Sequence, residues 1–210
     1  MDFKNTNRQY VACFSESCDH LSQWRAYAQD GYGMSIGFSK KMLKSLDQEY
    51  EVSFDKIIYD LLKQEKFIDT IIEENINKLK YKTISNVAAE FNSNYRFKYL
   101  LCKNPSLSEE REWRLIKDSG CLQKREVCWG DMIFSRPKFI GKADKFLSYV
   151  EMDFSVVKNK FIKEIWIGPK LKVSIEDVCY LLNMYHYYDG DTFCSDTEPI
   201  LIKKSSSTYI

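Results

Sequence analysis

Residues 108–115 gather three carboxylates (Glu109, Glu110, Glu112) and two guanidiniums (Arg111, Arg114) around one tryptophan, Trp113. If the chain runs extended from Glu110, successive side chains alternate between faces. Glu110, Glu112 and Arg114 then share one surface, while Arg111, Trp113 and Leu115 share the other. Two acids and a base converging in this way can orient a cationic or hydroxylic substrate. The same residues also make an ordinary set of ion pairs, and their spacing leaves both readings open.

Other chemistry-bearing patterns are few. The sequence has no G-x-x-x-x-G-K-S/T phosphate loop, no G-x-G-x-x-G fingerprint, no H-E-x-x-H and no G-x-S-x-G elbow. Its two histidines, His20 and His186, sit in no catalytic pattern, which gives a histidine-based hydrolase little support. Seven cysteines, at 13, 18, 102, 121, 128, 179 and 194, include no C-x-x-C pair, so they read as reduced, small apolar side chains rather than a zinc site or a disulfide framework. With 31 basic and 30 acidic residues, the net charge of +1 provides no global steering toward nucleic acid or an anionic membrane. The first residues lack the apolar run of a signal peptide, and no apolar segment reaches membrane-spanning length, so the expected location is cytoplasmic.

The surrounding pattern predicts the elements that position the acidic segment. Residues 9–14 read as a buried strand, residues 20–29 as a short amphipathic helix ended by Gly31 and Gly33, and residues 34–38 as a second strand, with Ser39 capping a helix from Lys40. Phe54, Ile57, Ile58, Leu61 and Leu62 continue into Ile68, Ile71, Ile72, Ile76 and Leu79, a helical stripe expected to pack against the chain's own sheet. A second stripe runs from Ile84 through Val87, Ala88 and Phe91 to Tyr95. Pro105 and Ser106 end the helical region before the acidic strand begins at about Glu110. Further on, a hairpin or bend is expected around Gly130-Asp131, a strand within residues 146–154, another over residues 161–167 stopped by Gly168-Pro169, a helix over residues 174–187 capped by Ser174, and a last strand near residues 199–202. At 210 residues the chain suits a single α+β domain: a central mixed or mostly antiparallel sheet, a helical insertion at about 40–103 and a C-terminal helix.

Several blocks together resemble a widespread bacterial family of unknown function, DUF2971. They are Val11-Ala12-Cys13-Phe14-Ser15-Glu16, Trp24-Arg25-Ala26-Tyr27-Ala28 with Gly31 to Phe38, Glu110-Arg111-Glu112-Trp113-Arg114, and Ile162 to Pro169. The chain resembles a member lacking its usual N-terminal part. A separate likeness is to ADP-ribosyltransferases: Glu110-x-Glu112 is similar to their E-x-E element, and Phe14-Ser15 to their serine motif. That likeness implies Glu112 as the principal catalytic carboxylate and Glu110 as its auxiliary, with NAD as substrate rather than resident cofactor. It also implies Ser15 near the nicotinamide-ribose, Arg25 or Arg114 on the diphosphate, and Trp24 or Tyr27 stacked on a ring. No arginine or histidine stands convincingly on a strand before Ser15, which departs from that superfamily.

Three functions therefore compete: an enzyme acting on an NAD-like or other nucleotide glycosidic bond, a non-catalytic module that binds a protein partner or a second copy, and a nucleic-acid-binding module. The last would use Lys78, Lys80 and Lys82 together with Tyr95, Arg96, Phe97, Lys98 and Tyr99.

Overall fold

The computed structural model describes residues 8–50, 52–95, 98–118, 133–153, 161–185, 187 and 199–209. Their contacts divide into two compact units that interleave along the sequence. The first takes the described parts of Met1–Glu16 and Ser53–Asp118, the second those of Ser17–Val52 and Ser119–Ile210. The fold is α+β, with a mainly antiparallel, partly mixed sheet architecture and a long helical insertion. The expected hairpin near Gly130 lies outside the described residues.

In the first unit, β1 (Gln9–Ser15) pairs antiparallel with β4 (Glu112–Asp118), in a register running from Gln9 opposite Asp118 to Ser15 opposite Glu112. On the other side of β4 lies β3 (Val52–Lys56). The sequence pattern assigns Phe54 to a helix, because Phe54, Ile57, Ile58 and Leu61 fall at three- and four-residue steps. In the structure a two-residue period wins: Val52 and Phe54 are buried while Ser53 and Asp55 are only half-buried. Phe54 stacks on Trp113 with ring centroids 5.2 Å apart and meets Phe14 edge-on at 5.8 Å. Ile57, Leu101 and Ile116 form a buried core supported by Tyr59, Phe67 and Leu100.

The helical insertion begins with α2 (Lys40–Tyr50) in the second unit, started by Ser39, whose hydroxyl accepts from the Met42 amide. In the first unit it continues as α3 (Leu61–Lys78) and α4 (Ile84–Asn94). Asp60 caps α3 by accepting the Lys63 amide, and Thr83 caps α4 by accepting the Asn86 amide. Pro105–Glu110 then forms a 3-10 helix. Among the described residues no helix is long and apolar enough to cross a membrane.

The second unit holds α1 (Leu21–Tyr27) and a sheet ordered β2 (Met34–Phe38), β7 (Ile162–Ile167), β8 (Leu201–Lys204). The β2 and β7 strands are antiparallel and slip register between Gly37 and Phe38; β7 and β8 are parallel. The C-terminal helix α5 (Ile175–Met184) opens with a capping box in which Ser174 and Asp177 each serve the other's backbone amide. It buries Val178 and Leu182 against Ile162, Ile165, Ile167 and Ile200. A hairpin of β5 (Lys138–Lys142) and β6 (Lys145–Tyr149) also belongs to this unit.

Candidate functional site

Pairing of β1 with β4 puts Ser15 opposite Glu112 and Cys13 opposite Arg114. Residues directly opposite one another in an antiparallel pair share a face, so these four side chains leave the sheet on the same side. Glu110 arrives by a different route from the one its spacing suggests. It ends the 3-10 helix rather than lying on β4, and Arg111 between them takes a left-handed conformation with φ 44°. The kink still returns Glu110 to the cluster: Ser15 Oγ donates to the Glu110 carbonyl at 2.8 Å.

Lys103 joins the two acids. Its ammonium donates to Glu112 Oε2 at 2.7 Å and to Glu110 Oε2. Arg114 Nε donates to Glu112 Oε1 at 2.8 Å, while another of its nitrogens donates to the Leu100 carbonyl. The Glu112 amide donates to the Tyr59 hydroxyl at 3.0 Å. Glu112, 4 % exposed, thus has both oxygens occupied by cations. Burial pushes its carboxyl up, but hydrogen bonds from Arg114, Cys13 and Lys103 outweigh that effect and hold it at about 2. Burial, reinforced by the hydrogen bond and charge of Glu112, pushes the Cys13 thiol up to about 11. Burial alone would lower the Lys103 ammonium; its hydrogen bonds to Glu110 and Glu112 raise it instead. At neutral pH Glu112 is therefore a carboxylate held between two cations beside a neutral thiol. Such a carboxylate is a fixed acceptor and orienting group but a weak proton acceptor.

The first unit brings together Ser15, Glu110, Glu112 and Arg114. Trp24, Arg25 and Tyr27 belong to the second. Trp24 is buried, and its indole donates to Asp19 Oδ1 at 2.7 Å. Arg25 lies 6.0 Å from the centre of the Tyr209 ring, and Tyr27 is exposed. Local spacing identifies the acids but misses three members of the cluster. Cys13 is signalled by its two-residue spacing from Ser15 on β1. Lys103 and Tyr59 carry no local signal, because only tertiary folding brings them to β4.

The surface of α3 departs from expectation. Part of the stripe expected to pack inward faces outward: Ile68, Ile72, Ile76 and Leu79 are 48, 47, 56 and 44 % exposed, whereas Ile57 is buried and Ile71 half-buried. The inner face is instead partly polar. Gln64 Nε2 donates to the carbonyls of Ile58 and Lys103 at 2.6 and 2.7 Å, Phe67 packs on the core, and Asn75 is buried. Sequence periodicity reveals an apolar face but does not say which of two candidate faces meets the core. On the basic side of this region, Lys78 and Lys82 both pair with Glu90; Arg96 and Phe97 lie outside the described residues.

A cleft of about 450 Å³ in the second unit is lined by Gly168, Pro169, Lys172, Ser174, Lys204 and neighbouring residues, and by neither carboxylate of the cluster. Among the described residues no group of three or more histidine, cysteine, aspartate or glutamate side chains could hold a metal ion. Residues 23–115 match the model of DUF2971, a family described as protein of unknown function, which bears out the resemblance over that span. No curated protein and no solved structure matches the chain.

Proposed function

We propose that the chain is a non-catalytic interaction module that presents the outer ridge of α3 to a protein partner. The observation that carries this reading is the run of Ile68, Ile72 and Ile76 on one face of a capped helix, continued by Leu79 at its C-terminal cap, each close to half exposed. Isolated exposed aliphatics are ordinary, but a continuous ridge of them on one helix marks an interaction surface. The cluster around Glu112 supports the same reading, since its ion pairs fasten β4 to the Lys103 segment and leave neither Glu112 oxygen uncommitted. A photo-crosslinking residue at position 72 should yield protein adducts in cells, whereas one at the exposed Tyr180 of α5 should not. Equal labelling from the two positions would dispose of the proposal.

A second reading, transfer or hydrolysis at an NAD-like glycosidic bond, is favoured by the register that sets Ser15 opposite Glu112. In it Glu112 would accept a ribose hydroxyl and steady positive charge at the anomeric carbon as nicotinamide leaves. Lys103 and Arg114 would first have to yield an oxygen. Nicotinamide release from NAD that is abolished in Glu112→Gln, with the fold retained, would establish this chemistry. Unchanged turnover would remove it.

A further inference from the structure

Resting on the interaction-module reading, we infer that the partner of the α3 ridge is a second copy of this chain, packed antiparallel across a two-fold axis near Glu73. The outer face runs Leu61, Glu65, Ile68, Ile72, Ile76, Leu79, in steps of three and four residues, the spacing of a helix-to-helix seam. A seam of this kind is self-complementary when reversed. Setting Ile72 opposite the second copy's Ile76 sets Ile68 opposite its Leu79, closing the aliphatic row on itself.

Charge selects the direction. Acids lie toward the start of the ridge, at Glu65 and Asp69, and Lys80 lies just past its end, in the turn that follows α3. In the reversed register Asp69 comes within side-chain reach of the other copy's Lys80, while Lys82 stays committed to Glu90 of its own chain. A parallel arrangement would align acid with acid and base with base. Lys80 is available for this role, since its ammonium donates to the uncharged Asn77 Oδ1 at 2.8 Å. One contact opposes association: Glu73, beside the axis, meets its own counterpart. The dimer is thus expected to be modest in affinity, about micromolar, as suits a single helical seam.

The purified chain, followed by light scattering across a dilution series, should pass from two copies to one. Ile72→Asp, on an exposed position that leaves the core untouched, should weaken association at least about 30-fold, with an unchanged thermal midpoint at dilutions where both proteins are single copies. Glu73→Gln should tighten it. Asp69→Lys should weaken it, and the double exchange Asp69→Lys with Lys80→Asp should restore it. A chain that is one copy at every concentration overturns the inference, as does a dimer indifferent to Ile72→Asp, or a double exchange that fails to recover association. Crosslinks from position 72 to a different protein would overturn the second copy while sparing the interaction-module reading; no adduct of any kind would end both.

Discussion

Glu112 sits between Arg114 and Lys103 with almost no contact with water, and removing its charge would leave two cations facing each other across a neutral amide. Glu112→Gln should therefore cost about 3 kcal/mol of stability at pH 7, the scale of a broken buried pair. The acid dependence has a definite sign. Folding lowers the carboxyl from 4.5 to about 2, so its contribution is complete above pH 4.5 and is lost as pH falls toward 2. Urea unfolding from pH 7 to pH 2.5 should show the wild type and Glu112→Gln converging at the acid end; a constant gap would contradict the network. Cys13 reports on the same carboxylate. Burial together with Glu112 holds its thiol above 9.0, so alkylation at pH 8 should be slower than for an unperturbed thiol, and should quicken in Glu112→Gln. Mass-spectrometric labelling in which Cys13 reacts as fast in both proteins would be inconsistent with this geometry.

Among the elements, those with a clean period and a chemical stop were legible from sequence. β2 ran from Met34 to Phe38 as its alternation required, and α5 began after Ser174, where a cap and two acids mark the helix start. β3 was obscured because Phe54, Ile57 and Ile58 satisfy helical spacing by coincidence, and only the neighbouring β4 decides for a strand. The hairpin of β5 and β6 carried no turn signature of the Asn-Gly kind; its turn uses Ala143 at φ 39°. The acidic half of the candidate site could be read locally, whereas Lys103, which unites Glu110 with Glu112, is a purely tertiary neighbour. Gly168, at the end of β7, was legible as a stop but not as a point of close backbone approach. A Cβ there would lie 2.5 Å from the carbonyl oxygens of Gly31 and Gly33, and the Gly168 amide itself donates to the Gly33 carbonyl at 3.0 Å. Gly168→Ala should cost about 2 kcal/mol or more, because the atoms in its way are main chain and cannot rotate aside. Gly141→Ala, where the nearest atom is a Phe146 ring carbon at 3.9 Å, should move the thermal midpoint far less. Equal melting shifts would show that the segment around Gly31 gives way.

For the molecule as a whole, interleaving matters more than size. The second unit draws β2 from its early segment and β7, β8 and α5 from its late one, so a cut after residue 118 separates β2 from the strand it pairs with. A fragment of residues 119–210 should lack a cooperative melt, and adding residues 1–118 should restore one. Cooperative unfolding of the fragment alone would show that its β7–β8–α5 core is sufficient without β2. Asp19 makes the same dependence visible at one carboxylate: it receives the Trp24 indole and also the Ser205 hydroxyl, 186 positions later. Synthesis of the chain consequently runs far ahead of closure. The indole environment of Trp24 can reach its final form only after Ser205 has been made, so its fluorescence would time the last stage of assembly, long after the surrounding helix has emerged.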